Sequence, residues 1–106
     1  MADKDRSDWK EKKVEDYLKK QVAKLGGLSM KWTCPSFRGV PDQIVMYGGQ
    51  LWFVELKTCK GALTPLQIKC HLMLAEQGQR VLTLHGADDV DRFINVLKVI
   101  EGQTNG

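Results

Sequence analysis

The sequence predicts one α/β domain with the element order αβββαβα. Three observations predict it. Apolar residues recur at helical spacing in separated segments. Two runs rich in β-branched and aromatic residues flank Gly48-Gly49, which is a hairpin signal. The chain has 106 residues, 42% of them hydrophobic, enough for one core with little room for a second.

Residues 1–7 are polar and are expected to form a disordered N-terminal segment. A helix is expected from about Asp8 to Leu25, because Val14, Leu18, Val22 and Leu25 share one face and Gly26-Gly27 stops it. A short strand is expected over Leu28 to Cys34, followed by a loop through Arg38-Gly39-Val40-Pro41. The hairpin strands are Gln43–Tyr47 and Leu51–Lys57. A second helix is expected from Pro65 to about Gln77, with Thr64 as N-cap and Gln67 completing a capping box. Arg80–His85 is a further strand and Asp88–Ile100 a last helix. The folded domain thus spans residues 8–100, and 101–106 is a polar tail.

Composition excludes several classes. Cys34, Cys59 and Cys70 are odd in number and lack C-x-x-C spacing, against both a disulfide scaffold and a zinc cluster. They read as reduced thiols of a cytoplasmic protein. No apolar run is long enough to span a membrane, and the N-terminus has no signal-peptide core. Net charge is +3, concentrated in the first half: residues 1–60 hold twelve Lys/Arg against eight Asp/Glu. That balance is compatible with a nucleic-acid partner without establishing one.

The hairpin carries the chemistry. With Gly48-Gly49 as a two-residue turn, Ile44 faces Phe53, Met46 faces Leu51 and Asp42 faces Glu55. Opposed side chains lie roughly 5 Å apart at Cβ, so the two carboxylates repel. Lys57 projects from the same face as Glu55. The opposite face carries Val45, Tyr47, Trp52, Val54 and Leu56, so both strands are expected to be covered on both sides. Buried charges need partners or a metal. Two readings stand: a structural Glu55–Lys57 or Asp42–Lys57 ion pair, or a divalent cation held by the carboxylates with the lysine beside the reacting water.

The first helix adds a third carboxylate. Glu11 falls in the middle of its apolar stripe and Glu15 at the edge, while Lys12, Lys13, Lys20 and Lys24 occupy the other side. Glu11 has a local reading as well, since a helix start favours a negative charge. The lysine face is either simply solvated or a contact for phosphates.

The strings Glu11-x-x-Val14-Glu15-x-Tyr17-Leu18, Gly39-Val40-Pro41-Asp42, Phe53-Val54-Glu55-Leu56-Lys57 and Leu63-Thr64-Pro65-Leu66-Gln67 resemble, in this order, the virus-type replication-repair nuclease (VRR-NUC) domain of the PD-(D/E)xK superfamily. The resemblance covers roughly residues 8–100. It implies a restriction-endonuclease-like αβββαβ core with a mixed central sheet flanked by helices, and a stand-alone domain of the phage or prophage type, acting in the host cytoplasm. It implies Mg2+ or Mn2+ dependence and hydrolysis of phosphodiester bonds in branched DNA, including the four-way (Holliday) junctions met in DNA repair. By match, Asp42 and Glu55 are metal ligands together with Glu11 or Glu15, Lys57 is the catalytic lysine, and Gln67 approaches the site. Arg38 and Lys60, in loops beside the hairpin's active end, are expected to contact DNA phosphates. Many relatives have a basic residue where this chain has Gln43. His71 reads as structural. The favoured function is a metal-dependent, structure-selective DNA endonuclease working as a homodimer. The alternatives are a non-cleaving DNA-binding module of nuclease ancestry and a protein–protein adaptor.

Overall fold

The computed structural model describes residues 2–105, and side-chain surroundings over residues 5–100. A 3-10 helix, Ala2–Asp8, precedes α1 (Glu11–Lys24), β1 (Leu28–Lys31), β2 (Gln43–Tyr47), β3 (Gln50–Lys57), α2 (Pro65–Glu76), β4 (Val81–His85) and α3 (Gly86–Asn105). The strands form one mixed sheet in the order β1-β2-β3-β4, with the first two pairings antiparallel and β3–β4 parallel.

The hairpin register is the one expected from a two-residue turn. Ile44 pairs with Phe53, Met46 with Leu51 and Tyr47 with Gln50. Gly48 and Gly49 both adopt positive φ, 61° and 79°, which the tight turn requires and glycine supplies without steric cost. Ladder pairing of β2 with β3 stops at Gln43–Val54. Beyond it the Asp42 carboxylate takes over, and its Oδ1 accepts from the Leu56 N–H at 3.2 Å.

One face of the sheet carries the core, with Tyr47 and Leu82 partly buried at its margin. Val45, Trp52, Val54, Leu56 and Leu84 pack against Val14, Leu18 and Val22 of α1 and Val90, Phe93, Ile94 and Leu97 of α3. Each such side chain stabilises the fold by about 1.5–3 kcal/mol on burial. The other face departs from the expected double cover, because Ile44, Met46, Leu51 and Phe53 are only half-buried. α2 shields just one end of it.

α2 is held differently from its neighbours. Of its residues only Cys70 and His71 are buried, while Leu66, Ile68, Leu72 and Met73 stand exposed. Its placement rests instead on its first turn. Thr64 Oγ1 accepts from the Gln67 N–H and Gln67 Oε1 accepts from the Thr64 N–H, the expected capping box. Pro65 occupies the first helical position. The loop before Asp42 then presses on that turn at Gly39. With φ at 87°, a Cβ on Gly39 would lie 2.8 Å from the Leu66 carbonyl carbon and nearer still to its oxygen.

Gly39→Ala is therefore expected to lower stability by about 1–3 kcal/mol through strain and collision together. Gly26→Ala, where φ is 90° but nothing lies within 4 Å, suffers the backbone penalty alone. Thermal denaturation of the two variants checks this, and equal melting temperatures would remove the steric part of the argument.

Three boundaries differ from expectation. Ala2–Asp8 forms a 3-10 helix, from which Arg6 bonds to Asp88 and Asp91, at 2.7 Å for the latter, and Tyr17 Oη donates to Asp91 at 2.6 Å. α1 starts at Glu11 rather than Asp8. α3 starts at Gly86, where Asp89 Oδ2 accepts from the His85 N–H at 2.8 Å, and it continues through the expected tail to Asn105.

Candidate active site

The site forms where the β2 entry, the end of β3 and the first turns of α1 and α2 meet. Strand alternation puts Asp42, Glu55 and Lys57 on the half-covered face, and Gln43, Val54 and Leu56 on the face toward α1. Glu55 is only 3% exposed. Its Oε2 accepts from Gln67 Nε2 at 3.2 Å and lies 3.8 Å from Lys57 Nζ. Its Oε1 lies 3.7 Å from His71 Nε2, and neither atom has a hydrogen-bond partner.

The electrostatics show surplus negative charge. Burial pushes the Glu55 carboxyl up to about 7; Asp42 and Glu11 add to the rise and Lys57 opposes it. Burial pushes Asp42 up to about 6, against the Leu56 N–H bond and with the Glu11 charge. Burial and the Lys57 charge shift His71 downward, which favours the neutral ring.

The two helix glutamates separate in a way the helical wheel does not foresee. Glu15, expected at the stripe edge, is buried at 5% exposure, with Lys19 Nζ at 3.3 Å and Lys31 Nζ at 3.5 Å. Burial drives its carboxyl up, and Lys19, Lys31 and Gln43 together outweigh that, so the net shift is downward. Glu15 is thus already charge-compensated. Glu11, expected in mid-stripe, is exposed as the first residue of α1, yet its charge bears on both Asp42 and Glu55.

Gln43 takes no surface role. It is fully buried beside Glu15, whose charge it favours, although neither of its amide atoms makes a hydrogen bond of normal geometry. Arg38 and Lys60 are both exposed but stand in separate clefts. Arg38 lines one with Leu66, Lys69 and Met73, and Lys60 lines another with Lys10, Trp9 and Thr58.

The residues fit a hard divalent cation in donor chemistry, since all are carboxylate oxygens and one buried oxygen of Glu55 lacks a donor. Among the described residues no three His, Cys, Asp or Glu side chains are gathered closely enough to hold a metal ion together. The sequence places His71 one helical turn from Gln67 on the same face and, as a lone histidine, reads it as structural; the structure sets it against the second oxygen of Glu55.

No protein-family model matches the chain. A protein of Acyrthosiphon pisum secondary endosymbiont phage 1, named "Putative nuclease p44", is 36% identical over 80 residues, covering 74% of this chain and 86% of that protein. A solved structure described as a VRR_NUC domain superposes with a TM-score of 0.75 at 31% identity, over 80% of this chain and 94% of that one. With the mixed four-stranded sheet, the flanking helices and this identity over nearly the whole of a solved relative, the chain belongs to the VRR-NUC family of nuclease domains.

Proposed function

We propose that the protein is a metal-dependent endonuclease that hydrolyses phosphodiester bonds in branched DNA. The observation that supports this most is the convergence of Asp42, Glu55 and Lys57 on one sheet face, with the buried Glu55 Oε1 lacking a donor. The pair with Lys57 engages Oε2 alone and leaves Oε1 open to a further partner. Asp42 and Glu55, with Glu11 as the third carboxylate, are the residues to hold Mg2+ or Mn2+. A cation held there would supply the positive charge to polarise the scissile phosphate and lower the pKa of a water.

The remaining chemistry belongs to the chain. Lys57 Nζ orients the attacking water or stabilises the charge that builds on the phosphate oxygens. Gln67 holds Glu55 Oε2 and fixes the direction of the carboxylate. Glu15 keeps Lys19 and Lys31 in place near the site. Lys60 beside Lys10 and, separately, Arg38 offer positive charge to phosphates on either side. A homodimer suits a four-way junction, since one 106-residue domain is small against such a substrate.

A labelled four-way junction with Mn2+ tests the proposal. Wild-type protein is expected to cut it, Asp42→Ala to lose cleavage and keep binding, and a linear duplex to be cut far more slowly. Binding with no cleavage in either metal would replace the enzyme by a non-cleaving DNA-binding module. In the same assay Glu11→Gln is expected to cost about tenfold or more and Glu15→Gln less. The reverse order would make Glu15 the helix ligand.

A further inference from the structure

We infer that His71 is a positioning residue that, with Gln67, forms a two-point clamp from α2 on the Glu55 carboxylate. The inference rests on the reading of Glu55 as a metal ligand and adds a residue to it. Gln67 and His71 lie one turn apart on the same helix, and each addresses a different oxygen of Glu55. Gln67 Nε2 donates to Oε2 at 3.2 Å, and His71 Nε2 stands 3.7 Å from Oε1.

Two features separate this from an ordinary core histidine. His71 is 8% exposed on a helix that buries only one other residue, Cys70, so packing does not require a polar ring there. Both His71 Nε2 and Glu55 Oε1 are buried without partners, and they face each other. A buried polar group left without a partner is destabilising. A closure of under an ångström satisfies both at once, provided the neutral ring carries its proton on Nε2. Carboxylates that hold metals are commonly fixed by such hydrogen bonds, and losing one typically weakens metal affinity or activity by about 10–100-fold. A carboxylate has about four lone-pair directions, so two donors still leave room for a cation.

The chain contains two histidines, His71 and His85, so imidazole 15N signals are readily assigned. At pH 7.5 in the wild-type protein, His71 is expected as the Nε2–H tautomer; an Nδ1–H ring would overturn the clamp. This measurement carries no folding risk.

The second measurement is the Mn2+ concentration that gives half-maximal cleavage of a labelled four-way junction. His71→Leu is expected to raise it about tenfold, with a smaller change in the rate at saturating metal. His71→Gln, whose amide can reach the same oxygen, is expected to restore it to within about threefold. A wild-type half-saturation in His71→Leu, or equal impairment in both variants, would overturn the positioning role. Glu55→Gln serves as the reference. If it keeps the wild-type Mn2+ response, the metal reading of Glu55 fails and the clamp loses its purpose. If it loses that response while His71→Leu keeps it, only the clamp fails.

Discussion

Glu55→Gln is expected to abolish cleavage and to make the metal-free protein more stable. The loss of activity should be on the order of a thousandfold, the scale set by removing one group that acts on developing charge. The gain in stability has a separate cause. Burial raises the Glu55 carboxyl to about 7 in the folded chain, against 4.5 ordinarily, so the folded state binds more protons than the unfolded state between those values. The stabilising contribution is therefore complete below about pH 4.5 and is lost as pH rises through 7. Asp42, raised to about 6 from 3.8, has the same sign. Metal-free wild-type protein should lose thermal stability as pH climbs through this window. At pH 7.5 the neutral glutamine should recover on the order of 2 kcal/mol, or roughly 10 °C for a domain of this size. Melting curves without metal, from pH 4.5 to 8, check both parts. A variant that is dead and less stable would mean that Glu55 serves the fold instead of being held against it.

Lys57→Met should also abolish cleavage, with the opposite effect on stability. Its side chain is 15% exposed, and its ammonium lies 3.8 Å from Glu55 Oε2. It is the group that opposes the rise in the Glu55 pKa. Removing it leaves a buried carboxylate with less compensation, the costly way to break a buried pair. The rate should fall by about 10²–10³, while junction binding measured without cleavage stays within a few-fold. Metal-free stability at pH 7.5 should fall by about 1 kcal/mol or more. In a Glu55→Gln background that loss should largely vanish, because no charge is left to compensate. Denaturant titration of the four proteins forms the cycle, and strict additivity would show that Lys57 and Glu55 are energetically independent.

Much of this architecture is legible in the amino-acid order because local chemistry dictates it. Gly48-Gly49 signals a tight turn, and either a two-residue or a four-residue loop there places Asp42, Glu55 and Lys57 on one face; the structure takes the two-residue register. Thr64-Pro65-Leu66-Gln67 specifies its own helix start. The illegible parts depend on distant partners. Arg6 meets Asp88 and Asp91 more than eighty residues away, so a polar N-terminus gives no sign that it is anchored. A helical wheel assumes that the whole helix lies against the core. α1 instead begins beyond the packed region, so Glu11 is exposed at its first turn while Glu15, deeper in, is buried among lysines. α2 has no single apolar face to read. Its role as a cover for Glu55 appears only when Gly39 brings the β1–β2 loop onto its first turn.

The Arg6 contacts couple the beginning of the polypeptide to the layer formed by α1 and α3. The guanidinium is 24% exposed at its side chain and Asp88 74%, so dissolved ions reach this fastening readily. It lies just ahead of the turn that presents Glu11. Raised ionic strength is therefore expected to weaken the fastening of the leading 3-10 helix to α3 and, through it, the turn that opens α1.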